Sequence, residues 1–300
     1  MPPYVYGSPL TELAAVAADA VQVSPLVPGS AALESVSDAD DFLIAAPAGT
    51  LERRYVLALA LRALKAGAPL TVLAPNEKGG TRLAKELSAF GCTVSAESKR
   101  HHRICRTTRP RVLNEATITD AIAGGQPRFA EDLGQWTQPG VFSWDAHDAG
   151  TLLLMSVLPA LKGRGADLGC GIGLLAAAVL ANPDVTHLDL VDIDQRAIAA
   201  ARRNIADKRA AFHWADARIA PALTDLDFVV MNPPFHDAGV EDKALGQAFV
   251  RRARHVLRPG GTLWVVANRH LPYEGVMSPL FTDVDLRAEG QGFKVYEAQA

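Results

Sequence analysis

The chain contains few cysteines, with three among its 300 residues. Cys92, Cys105 and Cys170 show no CxxC spacing and cannot pair completely, so neither a zinc site nor a disulfide framework is indicated. They fit a reducing cytoplasm, and we expect no metal. The sequence also lacks an apolar run long enough to span a bilayer. The N-terminus has no basic leader, and Asp19 interrupts the apolar stretch after Leu13, which argues against a signal peptide.

The chain also lacks an excess of basic residues, since 30 Lys and Arg stand against 33 Asp and Glu, for a net charge of −3. Neither half is basic, which argues against nonspecific nucleic-acid binding and requires any RNA reader to use local patches. Hydrophobic residues make up 49% of the chain, and this content excludes an extensively disordered protein. The length predicts two domains of about 150 residues each.

The tetrad with the clearest chemical content is Asn232, Pro233, Pro234 and Phe235, which follows the apolar run 226–231. An amino nitrogen attached to a π system is a poor nucleophile because its lone pair is delocalised, so an enzyme that methylates it must hold its hydrogens. The Asn232 side-chain oxygen and the Pro233 carbonyl can supply two acceptors on a loop that the prolines restrict. Phe235 offers a flat face for stacking. A Pro-Pro turn that closes a buried strand is the alternative.

A glycine-rich turn lies upstream, in the segment Asp167–Gly173, where an apolar segment ends and the helical run 174–180 begins. Glycines allow a sharp turn and let a ligand approach the backbone at a helix N-terminus. A dinucleotide fingerprint would need glycine at position 174, where leucine stands. The GxGxG spacing therefore favours S-adenosylmethionine over NAD. We expect Asp167 near the methionine end of that cofactor and the turn backbone along the pocket wall.

Further acidic residues follow the next predicted strands. Asp192 ends the strand 187–191 and lies about 20 residues after the glycine turn, where a carboxylate accepts hydrogen bonds from a ribose diol. A helix N-cap is the alternative for this segment, and Asp194 fits that role better. Asp216 follows the segment 212–214, where an adenine amino group would be read, and a simple turn aspartate is its alternative.

This series resembles the class I S-adenosylmethionine-dependent methyltransferase fold. The segments 139–158, 232–237, 267–273 and 292–298 look like the bacterial ribosomal RNA guanine-N2 methyltransferases. The small-subunit (16S) enzyme is the closest match and the large-subunit (23S) enzyme is a near relative. Residues 267–270 resemble the large-subunit type. The resemblance implies methyl transfer from S-adenosylmethionine to the exocyclic N2 amine of a guanine in 16S ribosomal RNA.

Carried over by position, the resemblance also implies two groups of site residues. The cofactor-binding group is Asp167, Gly169, Cys170, Gly171, Gly173, Asp192, Ile193, Asp216, Ala217 and Asn232. The catalytic group, which handles the target base, is Asn232, Pro233, Pro234 and Phe235. Cys170 is interpreted as a small turn residue and not as a nucleophile. The expected partner is ribosomal RNA or the small ribosomal subunit, and we expect a monomer.

The first half shows a fainter version of the same architecture. Its patterns predict strands at 42–46, 70–74 and 92–96, and helices at 51–65 and 80–90. Strands that alternate with helices imply a parallel sheet.

These patterns predict an α/β protein with two tandem Rossmann-like methyltransferase domains. The turn 47–50 has one glycine where the second half has three, so residues 1–108 are interpreted as a degenerate methyltransferase-like domain. The family resemblance implies that such a domain serves substrate recognition or support. An unrelated α/β domain is the alternative. Residues 109–139 are predicted to be a linker. Residues 140–300 are predicted to form the catalytic domain, with a seven-stranded, mostly parallel sheet.

A basic run between Lys99 and Arg111 contains no acid and can neutralise phosphates, with a solvated face as the alternative. Two other basic residues follow strand ends on the predicted substrate side, where each can equally form a local structural bond. The RNA-binding candidates are Arg100, Arg103, Arg106, Arg109, His236 and Arg269.

Rival functions remain open. A 23S guanine-N2 methyltransferase is one, and DNA adenine or protein-glutamine methyltransferases use a related loop, usually with tyrosine where Phe235 stands. A nucleotide-binding or RNA-binding module without catalysis belongs to a different class. The intact series from Asp167 to Phe235 argues against that module.

Overall fold

The computed structural model of the chain describes residues 2–219, 223–234, 236–237, 240–241, 243–271 and 273–300. It divides into two compact units. The first comprises Met1–Arg128 and Gln138–Gly140, and the second comprises Phe129–Thr137 and Val141–Ala300. Each unit has its own large sheet and its own clusters of buried apolar side chains.

The first unit is built on a six-stranded sheet in the order β2-β1-β3-β4-β6-β5. Its elements are β1 (Tyr4–Tyr6), β2 (Val21–Gln22), β3 (Phe42–Ala45), α1 (Thr50–Ala63), β4 (Pro69–Pro75), α2 (Leu83–Ala89), β5 (Ser95–Lys99), β6 (His102–Thr108) and α3 (Glu115–Gly125). Strands β1 to β4 are parallel, whereas β6 runs antiparallel to β4 and to β5. The predicted strand at 92–96 is misplaced, because Cys92 is buried in the core and the edge strand β5 begins at Ser95.

Helix α3 lies inside the segment 109–139 that the sequence predicted to be a linker. The Asn114 side chain caps it by accepting a hydrogen bond from the Thr117 backbone N–H at 3.3 Å. The helix packs against α1, and a Cβ at Gly125 would lie 2.3 Å from the Tyr55 Cβ. Glycine therefore permits the close approach of two helices here, although the same residue type indicated a linker in the sequence.

The second unit is built on a seven-stranded sheet in the order β11-β10-β9-β12-β15-β17-β16. The chain then forms β7 (Arg128–Ala130) and β8 (Gln135–Thr137), which pair with each other. The elements that follow are α4 (Ala149–Val157), β9 (Gly163–Leu168), α5 (Leu174–Leu180), β10 (Val185–Asp192), α6 (Gln195–Asn204), β11 (Ala210–Trp214), β12 (Leu226–Met231), β13 (His236–Asp237), β14 (Val240–Glu241), α7 (Lys243–Val256), β15 (Leu257–Asn268), α8 (Glu274–Met277), β16 (Asp283–Gly290) and β17 (Phe293–Gln299).

Five strands of this sheet, from β11 to β15, are parallel, and β17 and β16 add an antiparallel edge. The predicted α/β class and the seven-stranded, mostly parallel sheet are confirmed. Helix α7 packs on one face, while α4, α5 and α6 pack on the other. The apolar run 226–231 forms β12 in the buried centre. None of the described helices combines the length and apolar character that a bilayer span requires.

The carboxyl ends of β9, β10 and β12 lie at one edge of the sheet, because these strands are parallel neighbours. Ligands of open α/β sheets bind at this edge. The glycine turn follows β9, Asp192 ends β10, and Asn232 follows β12. The fold therefore gathers three sequence motifs that are far apart in the chain.

Candidate active site

The turn between β9 and α5 is shaped by three glycines in the left-handed region. Gly169, Gly171 and Gly173 have φ values of 81°, 53° and 91°, which side chains with a Cβ rarely adopt. Gly169 N–H donates to the Val191 carbonyl at 2.8 Å, and Gly171 N–H donates to Asp192 Oδ2 at 2.8 Å. The turn is thus fastened to the end of β10.

A cleft opens beside this turn, and all of its lining belongs to the second unit. The lining residues are Phe142, Ser143, His147, Asp148, Thr151, Asp167, Gly169, Cys170, Gly171, Ile172, Leu174, Leu175 and Asn232. The structure therefore brings together five of the predicted site residues: Asp167, Gly169, Cys170, Gly171 and Asn232. Gly173, Asp192, Ile193, Asp216 and Ala217 lie outside this lining.

Asp167 is the most unusual polar group in the cleft. Its side chain is buried, and Asp167 Oδ2 has no hydrogen-bond partner among the described residues. Burial, with a further contribution from the nearby Asp192 carboxylate, raises the pKa of Asp167 to about 8. A buried carboxyl oxygen without a partner favours a cationic or hydrogen-donating ligand. The α-ammonium group of S-adenosylmethionine fits this requirement.

Asp192 accepts a backbone hydrogen bond at each of its two oxygens, one of them from the glycine turn. Asp192 Oδ2 accepts from Gly171 N–H, and Oδ1 accepts from Asp194 N–H at 2.9 Å. Burial raises the pKa of Asp192 to about 6, although these backbone hydrogen bonds favour its ionised form. The helix cap belongs to Asp194, whose Oδ1 accepts from Arg196 N–H at 2.9 Å at the start of α6. The sequence-based expectation that Asp194 fits the helix cap better than Asp192 is thus confirmed.

Asp216 is held by its own local partner. Arg218 donates to it from its backbone N–H at 2.9 Å and from its guanidinium at 2.5 Å, and lowers the pKa of Asp216. Among the other predicted cofactor residues, Ile193 is exposed and accepts from Trp214 Nε1–H through its carbonyl, whereas Ala217 is buried. Cys170 is also buried, and burial raises the pKa of its thiol, which makes it a poor nucleophile.

The Asn232 side chain has a fixed orientation. Its Nδ2 group donates to Asp148 Oδ2 and to Thr151 Oγ1, each at 2.8 Å. Both amide hydrogens are therefore used, and the Oδ1 atom remains as an acceptor. Pro233 is buried and Pro234 is exposed after it. Phe235 lies outside the described residues.

Asp148 and Thr151 are the functional candidates that the sequence reasoning did not identify. Asp148 is the N-cap of α4, where its Oδ2 accepts from Thr151 N–H at 2.7 Å and from Thr151 Oγ1–H at 3.2 Å. An Asp followed three residues later by Thr signals a helix start. It does not signal the contact with Asn232, which is 84 residues away from Asp148.

Several RNA-binding candidates have protein partners in the structure. Arg100 pairs with Glu12, and Arg106 Nη1 lies 2.5 Å from Glu97 Oε1. Arg109 donates to the carbonyls of Leu61 and Pro110 at 3.2 Å and 3.0 Å.

The three remaining RNA-binding candidates are Arg269 and His236 on the second unit and Arg103 on the first. Arg269 pairs with Glu289 at 2.7 Å and has a 69% exposed side chain. Arg103 is half-buried on β6. The His236 side chain lies outside the part of the chain that the structure describes. The described residues contain no group of three or more His, Cys, Asp or Glu arranged to hold a metal ion.

Comparisons with known proteins identify the family of the chain. Residues 132–297 match the methyltransferase small domain family. The chain is 35% identical over 250 residues to ribosomal RNA small subunit methyltransferase C of Shewanella halifaxensis, covering 81% of this chain and 72% of that protein. It is 31% identical to the enzyme of the same name from Klebsiella pneumoniae, covering 87% and 76%.

A solved structure shares the fold of the whole chain. It is the T. thermophilus 16S ribosomal RNA guanine-N2 methyltransferase in complex with S-adenosylmethionine and guanosine. The two structures superpose with a TM-score of 0.79 at 22% identity, covering 100% of this chain and 88% of the other.

Proposed function

Because the chain belongs to the ribosomal RNA small subunit methyltransferase C family, within the methyltransferase small domain family, we propose that it methylates 16S ribosomal RNA. The reaction transfers the methyl group of S-adenosylmethionine to the exocyclic N2 amine of a guanine. One observation carries the proposal. The Asn232 amide is held by Asp148 and Thr151 with its oxygen left as an acceptor, in the cleft that the glycine turn and Asp167 also line.

The mechanism is direct displacement. Asn232 Oδ1 and the Pro233 carbonyl accept the hydrogens of the guanine N2 amine and aim its nitrogen. Phe235 supplies the stacking surface that the sequence predicts. Bound S-adenosylmethionine supplies the electrophilic methyl carbon on its sulfonium. Transfer would form the N–C bond as the C–S bond breaks, with S-adenosylhomocysteine as the leaving group, and the amine proton, which becomes acidic as the N–C bond forms, would pass to water. Catalysis then rests on positioning and preorganised polar groups rather than on a strong base.

The predicted cofactor-binding residues would hold S-adenosylmethionine. Asp167 Oδ2 fits the α-ammonium group, and the positive-φ backbone of Gly169 and Gly171 lines the adjoining wall. Asp192 can accept from the ribose diol while it keeps its backbone hydrogen bonds, because a carboxylate has about four acceptor sites. For Asp216, the Arg218 pair would have to tolerate the adenine amine as a second donor to the same carboxylate.

We further propose that the first unit is a methyltransferase-like domain without a cofactor site. Its turn after β3 is filled by the fully buried Arg53 side chain, whose Nη1 donates to the carbonyls of Ala48 and Pro47 at 2.7 Å and 3.2 Å. Glu86 accepts from Arg53 at 2.8 Å and 2.7 Å in a bidentate pair. A side chain thus stands where the second unit has its cleft, which favours a role in substrate recognition or support.

RNA contact by the basic run of the first unit stays a proposal. Arg100 and Arg106 are already paired with acids, so phosphates would have to displace Glu12 and Glu97. Arg109 is committed to backbone carbonyls, which leaves Arg103 as the member to test first. We also propose that the chain acts in the cytoplasm, where a ribosomal RNA substrate would be found, and that it acts as a monomer.

The test is methyl transfer from radiolabelled S-adenosylmethionine to separate preparations of small subunits, naked 16S ribosomal RNA and large subunits. Nuclease digestion and mass spectrometry of the product should give N2-methylguanosine from the small-subunit RNA. Labelling of the large subunit alone would assign the enzyme to 23S ribosomal RNA. Cofactor binding without transfer to any RNA would contradict the proposed activity and favour a binding module.

A further inference from the structure

Among the described residues, the cleft has one large apolar ring exposed at its lining. The Phe142 side chain is 54% exposed and lines the same cleft as Asn232, Asp148 and Asp167. Single exposed apolar residues are common on protein surfaces. This ring is distinguished by its position, since it stands beside the groups that would hold the reacting amine.

The backbone around Phe142 is firmly anchored. Val141, the preceding residue, is 2% exposed and packs in a cluster with Ile172, against which Trp144 also packs. Ser143, between the ring and Trp144, has a φ of 57°, in the left-handed region that non-glycine residues rarely adopt. The ring is therefore exposed on a segment held on both sides, with an uncommon backbone conformation next to it, rather than on a loose loop. Such conformations concentrate at ligand-binding sites.

The lining indicates which part of an RNA would enter. Asp148 and Asp167 place carboxyl groups in the cleft. A phosphate would be repelled by the like charge of Asp148, and its oxygens would face the unpartnered acceptor oxygen of Asp167. A nucleobase has apolar faces and a polar edge. The exposed ring offers a partner for such a face, and the fixed Asn232 oxygen offers an acceptor for such an edge.

We infer that Phe142 is a substrate-positioning residue whose ring stacks on the target guanine while Asn232 holds its amino group. This inference rests on the proposed function, and it adds a stacking surface from the segment before α4 to the one expected from Phe235. Stacking on an aromatic side chain tolerates any base, so the ring contributes affinity and orientation while the hydrogen bonds select the amine.

The test replaces Phe142 with Ala and with Trp, and uses Leu286→Ala as the matched control, because Leu286 is a similarly exposed apolar residue (51%) on the edge strand β16, outside the cleft lining. Stacking on a base is worth about 5-fold to 150-fold in binding when the aromatic is truncated to Ala. We expect Phe142→Ala to lower kcat/KM for small-subunit RNA by a factor in that range. The inhibition constant of free guanosine should rise by a similar factor. Phe142→Trp and Leu286→Ala should stay within about threefold of wild type.

Calorimetric titration with S-adenosylmethionine separates the alternatives and reports on folding. The Phe142→Ala protein should bind the cofactor as tightly as wild type. A weaker cofactor affinity with an unchanged KM for RNA would mean that the ring covers the cofactor. That result would overturn the inference. A raised RNA KM with an unchanged guanosine inhibition constant would place the ring against another part of the RNA, which also overturns it. If wild type itself transfers no methyl group, the proposed function fails, independently of Phe142.

Discussion

Replacing Asp148 with Ser should slow methyl transfer while it leaves the fold and the cofactor affinity intact. Serine is as good an N-cap as aspartate, so α4 keeps its first turn. Its shorter side chain, however, does not reach Asn232, whose Nδ2 group loses a charged acceptor at 2.8 Å. The amide can then rotate and present its NH₂ group to the cleft. That group is a hydrogen-bond donor, whereas the substrate amine needs an acceptor.

The size of the effect follows from the bond that is lost. A hydrogen bond to a charged group is worth about 1.5 to 3 kcal/mol, which corresponds to about a 10-fold to 150-fold lower rate if the bond matters only for orientation in the transition state. Thr151→Val removes the second, neutral acceptor, and about 0.5 to 1.5 kcal/mol predicts a 2-fold to 13-fold loss. Thr151→Ser keeps the hydroxyl and is the control.

The assay is a single-turnover measurement with the enzyme in excess over small subunits and with radiolabelled S-adenosylmethionine at saturating concentration. Calorimetry on the same proteins gives the cofactor affinity, and thermal melting checks the fold. A wild-type rate for Asp148→Ser would refute the reasoning, because Asn232 would then be held without its acidic partner. A loss that disappears at high cofactor concentration would move Asp148 into cofactor binding instead.

Three further predictions concern other parts of the molecule. Asn232→Ala should lower the single-turnover rate by about 10² to 10³, the scale for one preorganised polar contact, with unchanged cofactor affinity by calorimetry; wild-type turnover would remove Asn232 from the mechanism. The raised pKa of Asp167, about 8, means that its carboxyl is mostly protonated at pH 7 without ligand, so binding of a cation should release a proton and the cofactor affinity should rise with pH up to about 8. Calorimetry in buffers of different ionisation enthalpy should detect release of this proton for wild type and no release for Asp167→Asn. Equal heats in all buffers for wild type would contradict an ion pair between Asp167 and the ammonium group of the cofactor. Arg53→Met leaves Glu86 without its buried partner and should lower the free energy of unfolding by about 3 to 5 kcal/mol in urea titrations, against about 0.5 kcal/mol or less for Arg54→Met; equal effects of the two changes would show that the buried pair is not needed.

The sequence predicted the parts of the site that consecutive residues encode. The glycine turn, the strand that precedes Asn232 and the cap at Asp194 each depend on local chemistry, namely a positive φ, an apolar run or a side chain that reaches its own helix. These features appear where they were expected.

Other features depend on contacts between residues that are far apart in the chain, and no local pattern in the sequence indicates them. Asp148 and Thr151 show only a capping pattern in the sequence, while their contact with Asn232 arises when α4 meets the end of β12. Helix α3 was predicted to be a linker because a glycine that admits a neighbouring helix and a glycine that breaks one look the same in sequence. The position of Gly125 against Tyr55 distinguishes them only in three dimensions.

The double use of Asp148 ties the order of assembly to the appearance of activity. The same oxygen that starts α4 also orients the amide after β12, so a chain whose sheet and glycine turn have formed, but whose α4 has not yet docked, would have a misaligned amide. Methyl transfer should therefore appear only once α4 has docked, even where the glycine turn has already formed.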